Sequence, residues 1–520
     1  KKLVVVFNGE IYNYVELKEE LEKCGHIFIT NSDTEILIHG YEEWGTDLPK
    51  KLRGMFAFAI WNKKANNLFC ARDYFGIKPF YYYQNENVFM FSSEIKSFLE
   101  YPKFEKTLNK ELIGPYLSFS FTPTQETFFK NVYCLKPGTS LKFKKNKIEL
   151  NTYYEMSFDE KNLDYQETVD KISKTMKDSV KYHMISDVEV GSFLSSGVDS
   201  SYIASLAKPN KTFTIGYESQ KYSEIECARN LASKLGIQNI SKEITKEEFL
   251  MEVPRILYYM DEPLADASAV SLYFVSKLAS KDVKVVMSGE GADEFFGGYN
   301  TYKEEVDFKW YNKIPFKIRR ILGLVFEKLP EFRGRNLIVR RGSKLEDEYI
   351  GVNRIFSKKE RKRILNFYDT IKDSDITKSV FNQYKDKSNI IKMQAIDIKC
   401  WLQRDILLKA DKMTMANSIE GRTPFIDKEV FNIASILPLE YKVSKINTKV
   451  ALREAAKKDI PGKAYKKKKL GFPVPLREWM QDEDFYNEIK KTICQDFVKD
   501  FFDSNYVIKL LDEHKKRKKR

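Results

Sequence analysis

The sequence has few of the features that mark disulfide-rich, zinc-binding or membrane proteins. Its 520 residues include six cysteines, which are scattered, form no C-x-x-C pair and have no histidine at metal-ligand spacing. This pattern argues against a zinc site or a disulfide framework and favours a reducing compartment. No apolar run reaches membrane-spanning length, and the apolar residues 3–7 are too few for a signal peptide. We therefore expect a soluble cytoplasmic protein without a membrane partner.

Signals for several other functions are also missing. The net charge is +14, but no aromatic–basic pattern typical of RNA binding occurs, and much of the excess lies in residues 463–469 and 515–520. We expect no nucleic-acid partner. His39, His183 and His514 lack the sequence partners of a Ser-His-Asp triad. The length of 520 residues indicates two or three domains.

A serine-rich loop is the most informative stretch. Residues 193–201, Phe-Leu-Ser-Ser-Gly-Val-Asp-Ser-Ser, follow a predicted apolar strand and precede a predicted helix. The unpaired amides and positive dipole end of a helix suit a phosphate group. The loop also offers hydroxyl donors, a glycine for close approach and a carboxylate: Ser195, Ser196, Ser200, Gly197 and Asp199. A carboxylate beside phosphates needs a cation, commonly Mg²⁺, and no Walker A sequence follows. A serine-rich turn without a ligand is the alternative.

Apolar strands alternate with helices around this loop. We predict strands at 188–194, 211–217, 239–244 and 283–288, and helices at 164–183, 200–207, 223–235, 247–260 and 268–281. This alternation favours a doubly wound parallel sheet, which binds ligands at the carboxyl ends of its strands. The last of these strands ends in Gly289-Glu290-Gly291-Ala292-Asp293, so Asp199 and Asp293 are expected to share the Mg²⁺.

The first 155 residues have a different pattern. Short strands are predicted at 3–7, 26–30, 55–61, 68–72, 80–83, 88–92 and within 128–154, and helices at 14–23, from a Ser32/Glu35 capping box to Trp44, and at 107–119. This spacing favours stacked antiparallel sheets with the early helices outside. Asn8-Gly9-Glu10 forms either an oxyanion hole or a tight turn, and Asp33 either binds an amino group or caps a helix.

Several motifs together resemble known enzymes. Five stretches resemble the glutaminase half of class II glutamine amidotransferases: Asn8-Gly9-Glu10-Ile11-Tyr12-Asn13, Gly54-Met55-Phe56-Ala57-Phe58-Ala59, Arg72-Asp73, Gly76-x-Lys78-Pro79 and Ser93-Glu94. Two later stretches resemble the asparagine synthetase family: Ser288-Gly289-Glu290-Gly291-Ala292-Asp293-Glu294-x-x-Gly297-Gly298-Tyr299 and Asp411-Lys412-x-x-Met415-Ala416-x-Ser418-x-Glu420-x-Arg422-x-Pro424-Phe425-x-Asp427. The loop at 195–200 resembles the Ser-Gly-Gly-x-Asp-Ser loop of ATP pyrophosphatases, with Ser196 in place of the first glycine. A positive φ there would cost about 1–2 kcal/mol.

The resemblance implies a role for individual residues. Glutamine binding falls on Asn8, Gly9, Glu10 and Asp33, of which Asp33 contacts the α-amino group. ATP binding falls on Leu194, Ser195, Ser196, Gly197, Asp199, Ser200, Ile215, Ser288 and Gly289. Catalytic roles fall on Glu290 and on Lys469, which would neutralise phosphates. The metal ligands are Asp199 and Asp293.

The implied fold is α/β, with an incomplete N-terminal nucleophile-type αββα sandwich at 1–155. An ATP pyrophosphatase core with a doubly wound parallel sheet follows at 160–300, and a helical remainder of the synthetase domain at 301–520. Residues 301–389 are helix-prone without a chemical signal. Asp405, on a helix predicted at 390–409, either faces the site or faces solvent.

The implied reaction is ATP-dependent amidation of aspartate. A β-aspartyl-adenylate would be attacked by ammonia from glutamine, with ATP and Mg²⁺ as cofactors, and the resemblance allows a homodimer. The family's nucleophile is an N-terminal cysteine, whereas residue 1 here is Lys1 and the family's first strands are absent, so we expect a truncated form that uses only ammonia. Family members usually also extend beyond the last residue. The alternatives are the same chemistry on diaminopimelate or a cell-envelope sugar acid, or an inactive scaffold subunit.

Overall fold

The structure is a computed structural model that describes residues 2–330, 332, 334–462, 464–466 and 474–516. Its strands lie in three sheets, two in the first part of the chain and one in the second. The strands of the first part are β1 (Leu3–Ile11), β2 (Gly54–Asn62), β3 (Asn67–Arg72), β4 (Tyr81–Gln84), β5 (Phe89–Ser92), β6 (Val132–Cys134), β7 (Thr139–Lys144) and β8 (Lys147–Thr152). The strands of the second part are β9 (Val190–Phe193), β10 (Lys211–Tyr217), β11 (Gln238–Ile244), β12 (Val285–Met287) and β13 (Glu420–Arg422).

Two antiparallel sheets form the first part, as the short alternating strands predicted. One has the order β1-β2-β3-β7-β8 and the other the order β5-β4-β6. Aromatic residues pack between them, and the rings of Phe89 and Phe143 stack 4.4 Å apart. On the other face, Phe58 and Phe69 pack against apolar residues of the early helices. The α-helices of this part are Tyr14–Lys23, Thr34–Trp44, Leu48–Lys51 and Ile113–Phe119.

Two predictions for residues 26–35 were wrong. No strand forms at 26–30, because Ile27 and Ile29 point into solvent, where they are 81% and 90% exposed. The Glu35 carboxylate instead accepts hydrogen bonds from the backbone amides of Ile29 and Thr30, at 2.9 and 2.7 Å. The expected capping box is therefore not formed, and the helix begins at Thr34 after Asp33.

The second part is built on a parallel sheet, as predicted. Its strand order is β11-β10-β9-β12-β13, and every neighbouring pair is parallel. The helices that connect or flank these strands up to residue 307 are Tyr165–His183, Val198–Ala207, Ile225–Leu235, Lys246–Met260, Ser268–Ala279, Ala292–Phe296 and Asn300–Asp307. The edge strand β13 comes from a distant part of the chain, which the alternation of strands and helices did not predict.

Helices make up most of the remaining chain. They are Phe316–Glu327, Arg335–Arg341, Leu345–Glu348, Lys358–Ile364, Asp373–Gln383, Asn389–Ile396, Leu407–Met415, Lys428–Ser435, Leu439–Lys442, Val450–Ala456, Leu476–Trp479, Glu483–Ile493, Asp496–Lys499 and Ser504–Lys515. A π-helical stretch, Asp397–Ile406, joins two of them. Among the described residues, no helix combines the length and the apolar character that crossing a membrane requires.

Buried ion pairs and aromatic contacts join the two parts of the chain. Lys78 Nζ lies 2.9 Å from Asp411 Oδ1, and both side chains are buried. The ring of Phe75 packs against those of Phe295 and Phe431. Because a buried charge without its partner is strongly unfavourable, such pairs fix how the parts are oriented.

Candidate functional site

Two neighbouring strand ends form the centre of the site. β9 and β12 are adjacent and parallel, with Gly191 opposite Val286, so the loops that follow them emerge at the same edge of the sheet. The two loops approach closely at Gly289. A Cβ atom on Gly289 would lie 2.8 Å from the Ser200 amide nitrogen and 3.0 Å from the Asp199 carbonyl carbon. Only glycine therefore fits at this position without a shift of the loop.

A cavity of about 300 Å³ opens where these loops meet. Most residues that the sequence assigned to ATP, catalysis or metal line it. They are Leu194, Ser195, Gly197, Asp199, Ser200, Ile215, Ser288, Gly289, Glu290 and Asp293. Among the assigned residues that the structure describes, Ser196 is the exception, because its side chain is buried and donates a hydrogen bond to Glu224. The φ of Ser196 is not positive, so its Cβ introduces no left-handed strain.

Serine side chains hold the loop after β9 in shape. The Ser195 and Ser200 hydroxyl oxygens are 2.8 Å apart, and the Gly197 amide donates to Ser195 Oγ at 3.1 Å. Gly197 then forms the N-cap of the helix Val198–Ala207, whose first-turn amides lack partners within the helix. The loop therefore offers hydroxyl and amide donors next to the cavity, an arrangement that suits an anion.

Lys449 brings the two predicted metal ligands together. Its Nζ lies 2.6 Å from Asp199 Oδ2 and 2.8 Å from Asp293 Oδ1, and its side chain is 2% exposed. Gly298 makes room for this contact, since a Cβ there would lie 1.9 Å from Asp293 Oδ1 and 2.2 Å from Lys449 Cε. Lys449 also adopts a left-handed backbone conformation, with φ of 54°. Strained backbone of this kind persists only where the surrounding structure holds it.

Lys449 was not predicted from the sequence. The only local signal was a lysine before the helix Val450–Ala456, which looks like any surface lysine. Lys469, which was predicted to neutralise phosphates, lies outside the described residues.

A second charged group lies on another wall of the cavity. Lys409 forms an ion pair with Asp405, at 2.9 Å, and a shorter one with Asp266. Burial opposes the charge of Lys409, but the carboxylates of Asp266 and Asp405 raise its pKa overall. Lys409 and Asp266 line the cavity. Asp405 was expected to face either the site or solvent. It faces neither, because its side chain is completely buried behind Lys409.

The predicted glutamine-binding residues lie together at the end of β1. The Asn8 side-chain amide donates to Ser93 Oγ at 3.1 Å, and Asp33 Oδ2 accepts from the Ile11 amide at 2.9 Å. Gly9 has a φ of 147°, and a Cβ there would lie 2.0 Å from the Met55 carbonyl oxygen of β2. Burial raises the pKa of Glu10 to about 7, against the opposing charge of Arg422.

Arg422 connects this region to the cavity. Its guanidinium lies 3.6 Å from Glu10 Oε2 and donates to the His183 carbonyl oxygen at 2.8 Å. Its backbone carbonyl accepts from the Ser288 amide at 2.8 Å. One buried residue of β13 thus contacts both a predicted glutamine-binding residue and the loop after β12.

Comparisons with known proteins match both parts of the chain. The family described as "Glutamine amidotransferase domain" matches residues 1–154, and the family described as "Asparagine synthase" matches residues 171–520. The glutamine-hydrolysing asparagine synthetase 1 of Bacillus subtilis is 45% identical over 518 residues, which cover 98% of this chain and 82% of that protein.

Two further relatives have similar names. A putative glutamine-hydrolysing asparagine synthetase of Mycobacterium tuberculosis is 39% identical over 529 residues, covering 99% of this chain and 81% of that protein. One of Methanocaldococcus jannaschii is 36% identical over 338 residues, covering 63% of this chain and 64% of that protein.

Proposed function

The chain belongs to the asparagine synthase family, and we propose that it amidates aspartate to asparagine with ATP, releasing AMP and pyrophosphate. The proposal for this site rests on one observation. Asp199, Asp293 and Lys449 meet at a cavity that the two glycine-bearing loops form at the carboxyl end of a parallel sheet. Such an edge is the usual ligand site of doubly wound sheets.

The reaction needs ATP because a carboxylate does not react with ammonia directly, since oxide would be the leaving group. Attack of the aspartate side-chain carboxylate on the α-phosphorus forms a β-aspartyl-adenylate and expels pyrophosphate. Ammonia then attacks the acyl carbon and AMP leaves. The protein must therefore stabilise negative charge on pyrophosphate and remove a proton from the attacking nitrogen.

We assign ATP binding to the loops after β9 and β12. Leu194, Ile215, Ser288 and Gly289 form the part of the wall suited to adenosine. Ser195, Ser200 and the Gly197 amide supply donors to the phosphates. Because Ser195 Oγ and the Gly197 amide bond each other at 3.1 Å, ATP binding would exchange this contact for contacts to phosphate oxygens. Ser196 supports the loop through Glu224 instead of touching the nucleotide.

Asp199 and Asp293 fit a Mg²⁺ site, since they offer the carboxylate oxygens that this ion prefers and both reach one Lys449 ammonium within 2.8 Å. Mg²⁺ bound there would neutralise charge that develops on pyrophosphate. Lys449 holds the two carboxylates together and adds a fixed positive charge at the same position. Lys469 stays a prediction for the same task.

Lys409 is suited to the aspartate substrate. Lys409 lines the cavity, and its ammonium is held by Asp266 and the buried Asp405. We propose that this ammonium binds a carboxylate of the acceptor. Glu290 lines the same cavity and is our candidate for taking the proton from ammonia.

The N-terminal part is proposed to bind glutamine. Asn8 and Gly9 would donate to the side-chain carbonyl oxygen of glutamine, and Asp33 would contact the substrate amino group, with Glu10 beside them. We also propose domain limits of 1–155, 160–300 and 301–520. A homodimer and a cytoplasmic location stay predictions, which sedimentation velocity and cell fractionation check.

Aspartate-dependent exchange of labelled pyrophosphate into ATP tests the function without any nitrogen source. We expect exchange with aspartate and none with diaminopimelate or glutamate. Asp199→Ala should abolish it. The matched control is Asp187→Ala, because Asp187 is an exposed carboxylate shortly before the amino end of β9, the opposite end of the strand. Exchange with another acid instead of aspartate, or full exchange in Asp199→Ala, would overturn the proposal.

A further inference from the structure

Two histidines outside the proposed site face each other with the same ring nitrogen. His26 lies in the segment before Asp33 and His39 lies on the helix Thr34–Trp44. Their Nδ1 atoms are 3.2 Å apart, and each side chain is 16% exposed. The ring of Phe28 packs against His39 at 4.5 Å and restricts its orientation. The proposed amidation uses neither histidine.

A carboxylate lies at the far nitrogen of each ring. His26 Nε2 is 3.2 Å from Glu43 Oε2, and His39 Nε2 is 3.3 Å from Glu35 Oε1. An ionised carboxylate accepts hydrogen bonds and cannot donate them.

These contacts favour one placement of the protons on the two rings. With both Nε2 atoms donating to carboxylates, each neutral imidazole has its lone pair on Nδ1. Two lone pairs that face each other at 3.2 Å repel unless a cation lies between them. Either a proton or a metal ion must therefore bridge the two nitrogens.

The distance between the two histidine nitrogens fits a metal ion. With metal–nitrogen bonds of about 2.0–2.1 Å, a 3.2 Å separation gives an angle of about 100° at the ion, close to tetrahedral. Glu42 Oε2 lies 4.0 Å from His39 Nδ1, and the three ligand atoms all lie within 4.8 Å of one another, so the exposed Glu42 side chain must turn toward the ion to bind it. Carboxylates behind both rings are also the usual support for metal-binding histidines.

We propose that His26, His39 and Glu42 bind one divalent transition-metal ion of the zinc type, although the cysteine pattern argued against a zinc site. The ion would tie the segment from His26 to Ser32 to the following helix. This segment leads directly to Asp33, whose side chain accepts a hydrogen bond from the Ile11 amide at the end of β1. The site is therefore structural, and it orders the chain next to a predicted glutamine-binding residue. The proposal does not depend on the function assigned to the cavity.

Zinc binding to tag-free, chelator-treated protein tests the proposal, with a chromophoric zinc chelator as competitor. We expect one tight equivalent of Zn²⁺. His26→Gln and His39→Gln should each weaken zinc binding by more than about 100-fold. Removing a metal ligand lowers affinity more than removing a residue that only supports a ligand, which typically costs about 10- to 100-fold. Glu43→Gln removes only such an outer contact and should weaken binding by about 10- to 100-fold. His514→Gln, far along the chain, is the matched control and should bind like wild type.

A second measurement separates a lost site from a lost fold. Co²⁺ should give the visible absorption of a tetrahedral site in wild type and in His514→Gln, but not in His39→Gln. Both histidine variants should keep aspartate-dependent pyrophosphate exchange, which uses the second part of the chain. The proposal is overturned if wild type binds no stoichiometric Zn²⁺, or if both histidine variants bind it as wild type does. It is also overturned if nitrogen NMR shows a proton between the two rings in the presence of excess Zn²⁺.

Discussion

Replacement of Lys449 by methionine tests the centre of the proposed site most directly. Methionine keeps much of the length of the side chain but removes the ammonium that contacts Asp199 at 2.6 Å and Asp293 at 2.8 Å. Because the lysine side chain is 2% exposed, water cannot readily take its place. The two carboxylates would then face each other without their shared counter-ion.

The expected effect on catalysis is large. Removing one preorganised donor that stabilises developing charge typically lowers kcat by about 10²- to 10³-fold, or roughly 3–4 kcal/mol. Breaking a buried ion pair from one side costs about 3–5 kcal/mol, because a buried charge is left unpaired. We therefore expect aspartate-dependent pyrophosphate exchange to fall by at least about 100-fold in Lys449→Met.

The control is Lys445→Met, which changes an exposed lysine of the same segment and should keep wild-type exchange. A thermal-shift series with Mg²⁺ adds a readout of the carboxylates themselves. Ligand that binds only the folded state stabilises it, so Mg²⁺ should raise the Tm of Lys449→Met more than that of wild type. The reasoning is refuted if folded Lys449→Met retains exchange within about threefold of Lys445→Met, well short of the expected loss.

Three further predictions concern other residues. Gly9→Ala should lower the Tm much more than Gly25→Ala. A Cβ on Gly9 would lie 2.0 Å from the Met55 carbonyl oxygen. Gly25 also has a positive φ, but a Cβ there would have no atom within 4 Å. Gly289→Ala should reduce kcat/KM for ATP by about 5- to 150-fold, the equivalent of the 1–3 kcal/mol typical of overpacking. Glu10→Gln should flatten the pH dependence of unfolding between about pH 4.5 and 7. The raised pKa means that the folded state binds the proton more tightly, so stability falls as pH rises through this window and is constant above it.

The measurements that check these predictions are thermal melts, steady-state kinetics and urea unfolding at a series of pH values. Equal Tm values for Gly9→Ala and Gly25→Ala would show that β1 and β2 are not packed as described. Unchanged ATP kinetics in Gly289→Ala would show that the loops after β9 and β12 do not touch. A Glu10→Gln protein with the wild-type pH profile would assign that titration to another group.

The parallel sheet and its loops could be predicted because their signals are local. Apolar strands that alternate with helices identify the sheet, and in such a sheet adjacent loops lie at one edge. This sufficed to place Asp199 and Asp293 near each other. The error at residues 26–30 arose because an alternating pattern resembles a strand even where no partner strand is available, and Glu35 took the backbone amides instead.

The sequence by itself therefore determined most strands and helices, the loop chemistry and the resemblance to the family. Tertiary structure decided which distant charges meet. Lys449 and Asp199 are 250 residues apart, and Lys78 and Asp411 are 333 apart. Ion pairs of this kind, and the facing Nδ1 atoms of His26 and His39, depend on how elements pack and on side-chain orientation. Neither leaves a periodic or spacing signal in the chain, because each partner taken alone looks like an ordinary surface residue.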